Sequence, residues 1–261
     1  MTERRRILNE PGYLLHQRAY SETSLLLDVF SRNYGRMTLV AKGVKRKKSR
    51  TRGILLPFQP LIVAWSGRGE VKTMTSAESL VQRKKLQGER LFCGYYINEL
   101  ILRMLHRYDP HETLFGAYES ALEGLVREID LERTLRIFEK RLLQELGYGL
   151  HLSTDTLTGG AIDPSARYRY VAEMGPVLDN GGEHEGVVLH GESLQALHDE
   201  GDFSALHRRE LKRLTRAALD RHLEGRPLHS RELFSRLFPQ ESEQAALGES
   251  QAIGRTYTNT A

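Results

Sequence analysis

The sequence predicts an α+β protein, with a five-stranded barrel over residues 1–83 followed by a mainly helical domain over 84–238. Two features carry this reading. Apolar residues alternate with a period of two before residue 84 and recur at helical spacing after it. The helical pattern then lapses over an irregular insertion at 151–190, with Gly pairs at 159–160 and 181–182, and returns near Glu192.

The strands come first. Tyr13–Tyr20 is one, and Leu25, Leu27 and Val29 alternate with Leu26, Asp28 and Phe30 in the next. After a turn at Asn33-Tyr34-Gly35, Met37, Leu39 and Ala41 alternate with Thr38, Val40 and Lys42. Leu61–Trp65 and Glu70–Ser76 complete the set, joined by a hairpin turn at Gly67-Arg68-Gly69. Five short strands without a long helix predict a small closed barrel. The OB-fold fits this length and commonly binds single strands, and an SH3-like barrel fits the pattern nearly as well.

The helices follow. Ile97, Leu100, Ile101, Met104 and Leu105 form a stripe that should stop at Asp109-Pro110. Leu114, Tyr118, Ala121, Leu122 and Leu125 form a second, and Leu131, Leu135, Phe138, Leu142 and Leu146 a third that ends at Gly147. These stripes are core. Within the insertion, Tyr168–Val171 and Val187–Leu189 are candidate strands. Over 205–224, Leu211, Leu214 and Ala218 face inward while Arg209, Lys212, Arg213 and Arg216 face out. A last helix follows Pro227, with Ser230 as its N-cap and Leu233, Phe234, Leu237 and Phe238 as its buried face. Residues 239–261 are polar and aperiodic and are expected to be a disordered tail.

Charge supplies the functional signal. Between Lys42 and Arg52 the chain reads KGVKRKKSRTR, seven cations in eleven residues with no acid. Such density is costly unless an anion neutralises it, and a phosphate backbone does so with release of its counterions. The bland alternative is a solvated loop that only aids solubility. Residues 1–83 hold sixteen Lys/Arg against six Asp/Glu, a net of +10, which leaves −6 for residues 84–261 in a chain of net +4. The basic part suits a polyanion and the acidic part suits protein partners.

Other chemistry is absent. No apolar run approaches the ~20 residues a bilayer requires. MTERRRILNEPG lacks the apolar region of a secretory signal. Cys93 is alone, which excludes an intramolecular disulfide and a multi-Cys zinc site and fits a reducing cytoplasm. It reads as a small buried residue in a helix. No phosphate-loop, GxSxG or HExxH motif exists, and His184 with His190 lacks the spacing of a helical metal site. No enzyme, cofactor or metal is expected.

ETSLLLDVFSRNYGRMTLVAKGVKRKKS at 22–49, LLPFQPL at 55–61, GRGEVKTMTSAE at 67–78 and YYINELILRML at 95–105 closely resemble the RecO family of bacterial recombination mediators. LRIFEKRLLQELGYGL at 135–150 and RPLHSRELF at 226–234 continue the resemblance in the same order, so that it runs from about Gly12 to Phe238. It implies a non-enzymatic DNA repair and recombination protein of the RecF pathway, with an N-terminal OB-fold and a helical C-terminal domain. It also implies binding to ssDNA and dsDNA, annealing of complementary strands and, with RecR, loading of RecA onto strands coated by single-strand binding protein. The chain is expected to act as a cytoplasmic, nucleoid-associated monomer; the alternative is a generic single-strand coating protein. Many members carry a four-cysteine zinc module after GYGL. Here HLSTDTLTGGAIDPSARYRY has no cysteine, so the insertion is expected to keep the module's place without its metal and to fold by packing alone.

Residue roles follow. Lys42, Lys45, Arg46, Lys47, Lys48, Arg50 and Arg52 match the family's basic loop, and Arg68 and Lys72 extend the same face or are plain surface charges. Arg36 is a weaker candidate. Tyr34 and Trp65 are possible base platforms, although a lone Trp in an apolar strand is more often core. The acidic, apolar tail of single-strand binding protein needs a cation beside an apolar pocket. The resemblance assigns that role to Arg136, with Arg133 and Lys140 assisting; otherwise these are helix charges pairing with Glu132 and Glu139.

Overall fold

The computed structural model describes residues 6–81, 83–181, 185–223 and 225–238. The tail expected at 239–261, and His184, lie outside them. The chain divides into two compact units between His151 and Leu152.

In the first unit, β1 (Arg6–Ala19), β2 (Leu25–Ser31), β3 (Gly35–Ala41), β4 (Pro60–Ser66) and β5 (Val71–Ser79) form a closed barrel in the order β1-β2-β3-β5-β4. Five strands in a closed sheet fit the OB-fold expectation. All neighbours are antiparallel except β3 and β5, which close the barrel in parallel through Thr38–Val71, Leu39–Lys72 and Val40–Thr73. β1 begins seven residues before the expected Tyr13. Its first half pairs with β4 and its second with β2, and register shifts between Ile7 and Glu10 and between Leu14 and His16 bend it from one neighbour to the other. Asn9 adopts a positive φ of 56° at the first shift, which breaks the alternation that marks a strand in sequence.

Leu14, Leu27, Val29, Met37, Leu39, Leu61, Val63 and Trp65 fill the barrel. The outer face is also buried where the middle of β1 and β2 meets the helices. Tyr13 and Phe30 pack on Phe115 and Tyr118 at centroid distances of 5.1–5.8 Å. This explains why β2 reads as nearly continuous apolar sequence. The two aromatic partners belong to α2 (Glu112–Val126), which with α1 (Gly88–Met104) and α3 (Leu131–Glu145) lies in the same unit as the barrel. The amide of Asn98 is paired on both sides within this packing. Asn98 donates to the Leu15 carbonyl at 2.9 Å and accepts from the Tyr118 hydroxyl at 2.7 Å. The sequence pattern thus changes at residue 84 while the packing unit continues to 151.

α1 stops before the expected Asp109-Pro110 because residues beyond Met104 run along β3. The Tyr108 amide donates to the Arg36 carbonyl at 2.9 Å, and Arg107 bridges to Arg36. Gly35 is required at this contact. It has φ +66°, and a Cβ would lie 1.9 Å from the Asp109 carbonyl oxygen.

The second unit contains a three-stranded sheet in the order β7-β6-β8, from β6 (Arg167–Val171), β7 (Gly175–Leu178) and β8 (Val187–His190). α4 (Gly191–His198), α5 (Ala205–His222) and α6 (His229–Leu237) follow. β7 was not among the expected strands; it is four residues long and contains Pro176. The insertion, expected to fold by packing alone, is also tied by a buried carboxylate. Asp155, 4% exposed, accepts from the amides of Leu157 at 2.9 Å, Thr158 at 3.0 Å and Leu178 at 2.9 Å, tying the loop to the end of β7. Among the described residues no group of three or more His, Cys, Asp or Glu is placed to hold a metal ion, and no helix is long and apolar enough to cross a membrane.

Two expectations about α6 are corrected. Leu228 occupies the N-cap position and Ser230 lies inside the helix. Its apolar stripe is not a buried face, for Leu233 and Leu237 are 48% and 53% exposed, while Phe234 and Phe238 pack on each other at 4.9 Å. Helical spacing creates a stripe, but burial needs a second surface that sequence spacing does not supply.

Candidate nucleic-acid interface

All seven cations of the 42–52 run, Lys42, Lys45, Arg46, Lys47, Lys48, Arg50 and Arg52, are exposed. The loop nevertheless has fixed anchors. Val44 and Leu55 insert into the barrel core at its two ends. Gly43, at φ +72°, turns the chain out of β3. The Lys45 amide then donates to the Thr23 carbonyl at 2.9 Å, Arg46 to Gly43 at 3.1 Å and Ser49 to Arg46 at 3.0 Å, and Thr51–Gly53 forms a 3-10 turn. These bonds hold like charges together on one short, turn-rich segment. An anion that binds there relieves repulsion already present in the folded protein.

The flanking candidates divide. Arg68 is exposed in the β4–β5 turn. Lys72 is half-buried at the barrel's parallel seam, with its ammonium 5.4 Å from the centroid of the Tyr108 ring, so its charge is partly engaged within the protein. Arg36 is a tether: its guanidinium donates to the Leu102 carbonyl at the end of α1, and burial together with the nearby Arg107 lowers its pKa. Trp65 is not a base platform. It is buried in the barrel and meets Tyr34 edge-on at 5.3 Å, which leaves Tyr34 half-buried as well.

One aromatic escapes the sequence reading. Tyr20, 63% exposed, follows β1 at the turn that receives the loop, and Lys45 Nζ donates to the neighbouring Ser21 carbonyl at 3.0 Å. A tyrosine at the end of a strand resembles any strand terminus in sequence, and only the bonds from Lys45 reveal its place.

Arg136, Arg133 and Lys140 all lie on α3. Arg133 and Lys140 are half-buried. Arg136 is 5% exposed, and its guanidinium donates to Glu139 Oε1 at 2.8 Å, an atom that also accepts from the Tyr96 hydroxyl at 2.6 Å. The pairing with Glu139 considered for a surface charge is therefore present, but inside the packing. Cys93, on α1, is buried as expected; burial first, then Glu132, pushes its thiol up to about 12. In the second unit, Arg209 and Arg216 are exposed and Arg213 is half-buried on α5, while Glu210 turns inward to accept from Ser193 Oγ at 2.6 Å and the His190 amide at 2.9 Å. Asp179 accepts from the Arg169 guanidinium at 3.0 Å.

Comparison with known proteins gives matches along most of the chain. Residues 5–83 match the family model for the recombination protein O N terminal, and residues 86–232 match that for its C terminal. The DNA repair protein RecO of Methylococcus capsulatus is 45% identical over 229 residues, covering 88% of this chain and 93% of the relative. That of Dechloromonas aromatica is 44% identical over 245 residues, covering 91% and 99%. That of Coxiella burnetii is 42% identical over 229 residues, covering 88% and 98%.

Proposed function

The chain belongs to the RecO family, and on that premise we propose that it serves DNA repair as a non-enzymatic mediator that holds DNA on the 42–52 loop. The observation that supports this most is the set of seven exposed cations on a segment pinned by Val44 and Leu55. Arg68, and Lys72 with the part of its charge not engaged by Tyr108, are assigned to the same surface. The contacts are to phosphate, so binding extends to single- and double-stranded DNA and tolerates any sequence.

Annealing then needs no hydrolysis. A cationic surface screens the repulsion between two strands, and base pairing supplies the free energy once they are close. In this reading the protein works with RecR to load RecA onto strands coated by single-strand binding protein. It recognises that protein's acidic tail on α3; because Arg136 is buried against Glu139, the carboxylates are assigned to Arg133 and Lys140 in its place.

The test is fluorescence-monitored annealing of complementary oligonucleotides coated with single-strand binding protein, with and without its acidic tail. The expected result is rapid annealing of bare strands, and of coated strands only when the tail is present. Failure to anneal bare strands overturns the mediator reading, and indifference to the tail removes the α3 site.

A further inference from the structure

We propose that Tyr20 is a stacking platform for an unpaired base, and that it gives the phosphate-binding surface a preference for single strands. This rests on the DNA-binding reading of the 42–52 loop and adds to it a contact that phosphate alone cannot provide.

Three observations place Tyr20 at that surface. The turn after β1 is tight, with the Tyr20 amide donating to the Ser24 carbonyl at 3.1 Å and the Ser21 amide to the same oxygen at 3.4 Å. The basic loop is bonded to this turn twice, through the Lys45 amide to Thr23 and through Lys45 Nζ to Ser21. Among the described residues Tyr20 is also the most exposed of the large aromatic side chains, although it follows a strand of a barrel in which Tyr13, Phe30 and Trp65 are buried. Residues 16–20 are all exposed, and Arg18 adds a cation two residues before the ring.

The chemistry separates the ligands. In a duplex the base faces are stacked on one another and closed to a protein ring, whereas an unpaired base offers a free π-face of any identity. A tyrosine beside a row of cations therefore binds single strands through both base and backbone, and duplexes through backbone alone. The alternative occupant of an exposed tyrosine is a partner protein, which predicts no effect on DNA.

The experiment compares Tyr20→Ala and Tyr20→Phe with the unaltered full-length protein on three probes of equal length: a thymidine oligonucleotide, the same strand with abasic sites throughout, and a duplex. Stacking on one base corresponds to about a five- to hundredfold change in affinity. Tyr20→Ala should lose that factor for the thymidine strand alone, stay within about twofold on the abasic strand and the duplex, and keep the slope of affinity against salt. Tyr20→Phe, which retains the ring, should bind all three as the unaltered protein does. Equal loss on all probes would make Tyr20 a structural residue and overturn the proposal, and so would no loss on any. Failure of the unaltered protein to bind any probe would instead overturn the DNA-binding reading itself.

Discussion

Arg136 and Glu139 form an ion pair at 2.8 Å on one face of α3, with side chains 6% and 0% exposed. A pair so placed is sensitive to losing one member, because the other is left charged in a low-dielectric site. Arg136→Ala is expected to lower unfolding free energy by about 3–5 kcal/mol. Urea denaturation checks this. A double Arg136→Met, Glu139→Gln replacement should recover most of the loss, since no charge is then buried and the glutamine still accepts from Tyr96. Full stability in Arg136→Ala with loss of tail binding would return Arg136 to the receptor surface.

The basic loop makes a prediction about salt. Replacing Lys45, Arg46, Lys47 and Lys48 with Ala should weaken binding to all sequences alike and flatten the plot of log affinity against log salt by about 2–3 units for single strands. Fluorescence anisotropy at several salt concentrations measures the slope. A slope that does not move would place the main phosphate contacts outside the loop.

Asp155 makes a prediction about pH. Burial opposes its ionisation, but the amides of Thr158, Leu178 and Leu157 outweigh burial and hold its pKa below the ordinary aspartate value. A carboxylate with a depressed folded-state pKa contributes stability that is complete above its unfolded value, about 3.9, and is lost as pH falls through the folded value. Asp155→Asn should therefore cost about 1–3 kcal/mol at neutral pH and progressively less below about pH 4. Denaturant titrations of both proteins at pH 7 and pH 3 give the difference, and a constant gap would rule out the carboxylate's charge as its source.

Metal should be dispensable. The purified protein is expected to contain no stoichiometric zinc and to keep its melting temperature in a strong chelator, because the insertion has no cysteine and is tied by Asp155 instead. Elemental analysis that finds one zinc per chain would contradict this and redirect attention to the histidines.

Local features were legible in the sequence where a local rule governs them. β2 and β3 follow from alternation, the turn at Gly35 from its glycine, and the exposure of the 42–52 loop from charge that has no interior partner. The first half of β1 was hidden because its bend at Asn9 interrupts the alternation. The burial of Arg136 was hidden for a different reason. Its flanks Leu135 and Phe138 mark a core helix, but whether an arginine beside them points in or out depends on whether Tyr96 and Glu139 meet it there. The stripe of α6 is the converse case, a correct periodicity in which Leu233 and Leu237 stay exposed among the described residues.

The closed strand order of the barrel bears on how many copies can share one polymer. A protein that neutralises its cations on DNA gives up the repulsion that keeps copies apart, and it is then crowded beside others on the same strand. A sheet with an open edge would present unpaired amides to its neighbours under those conditions and invite strand-to-strand polymerisation. Here every strand has two partners, the last of them supplied by the short parallel seam between β3 and β5. The seam thus leaves fewer unpaired strand amides for edge pairing in the part of the molecule where charge neutralisation would otherwise promote it.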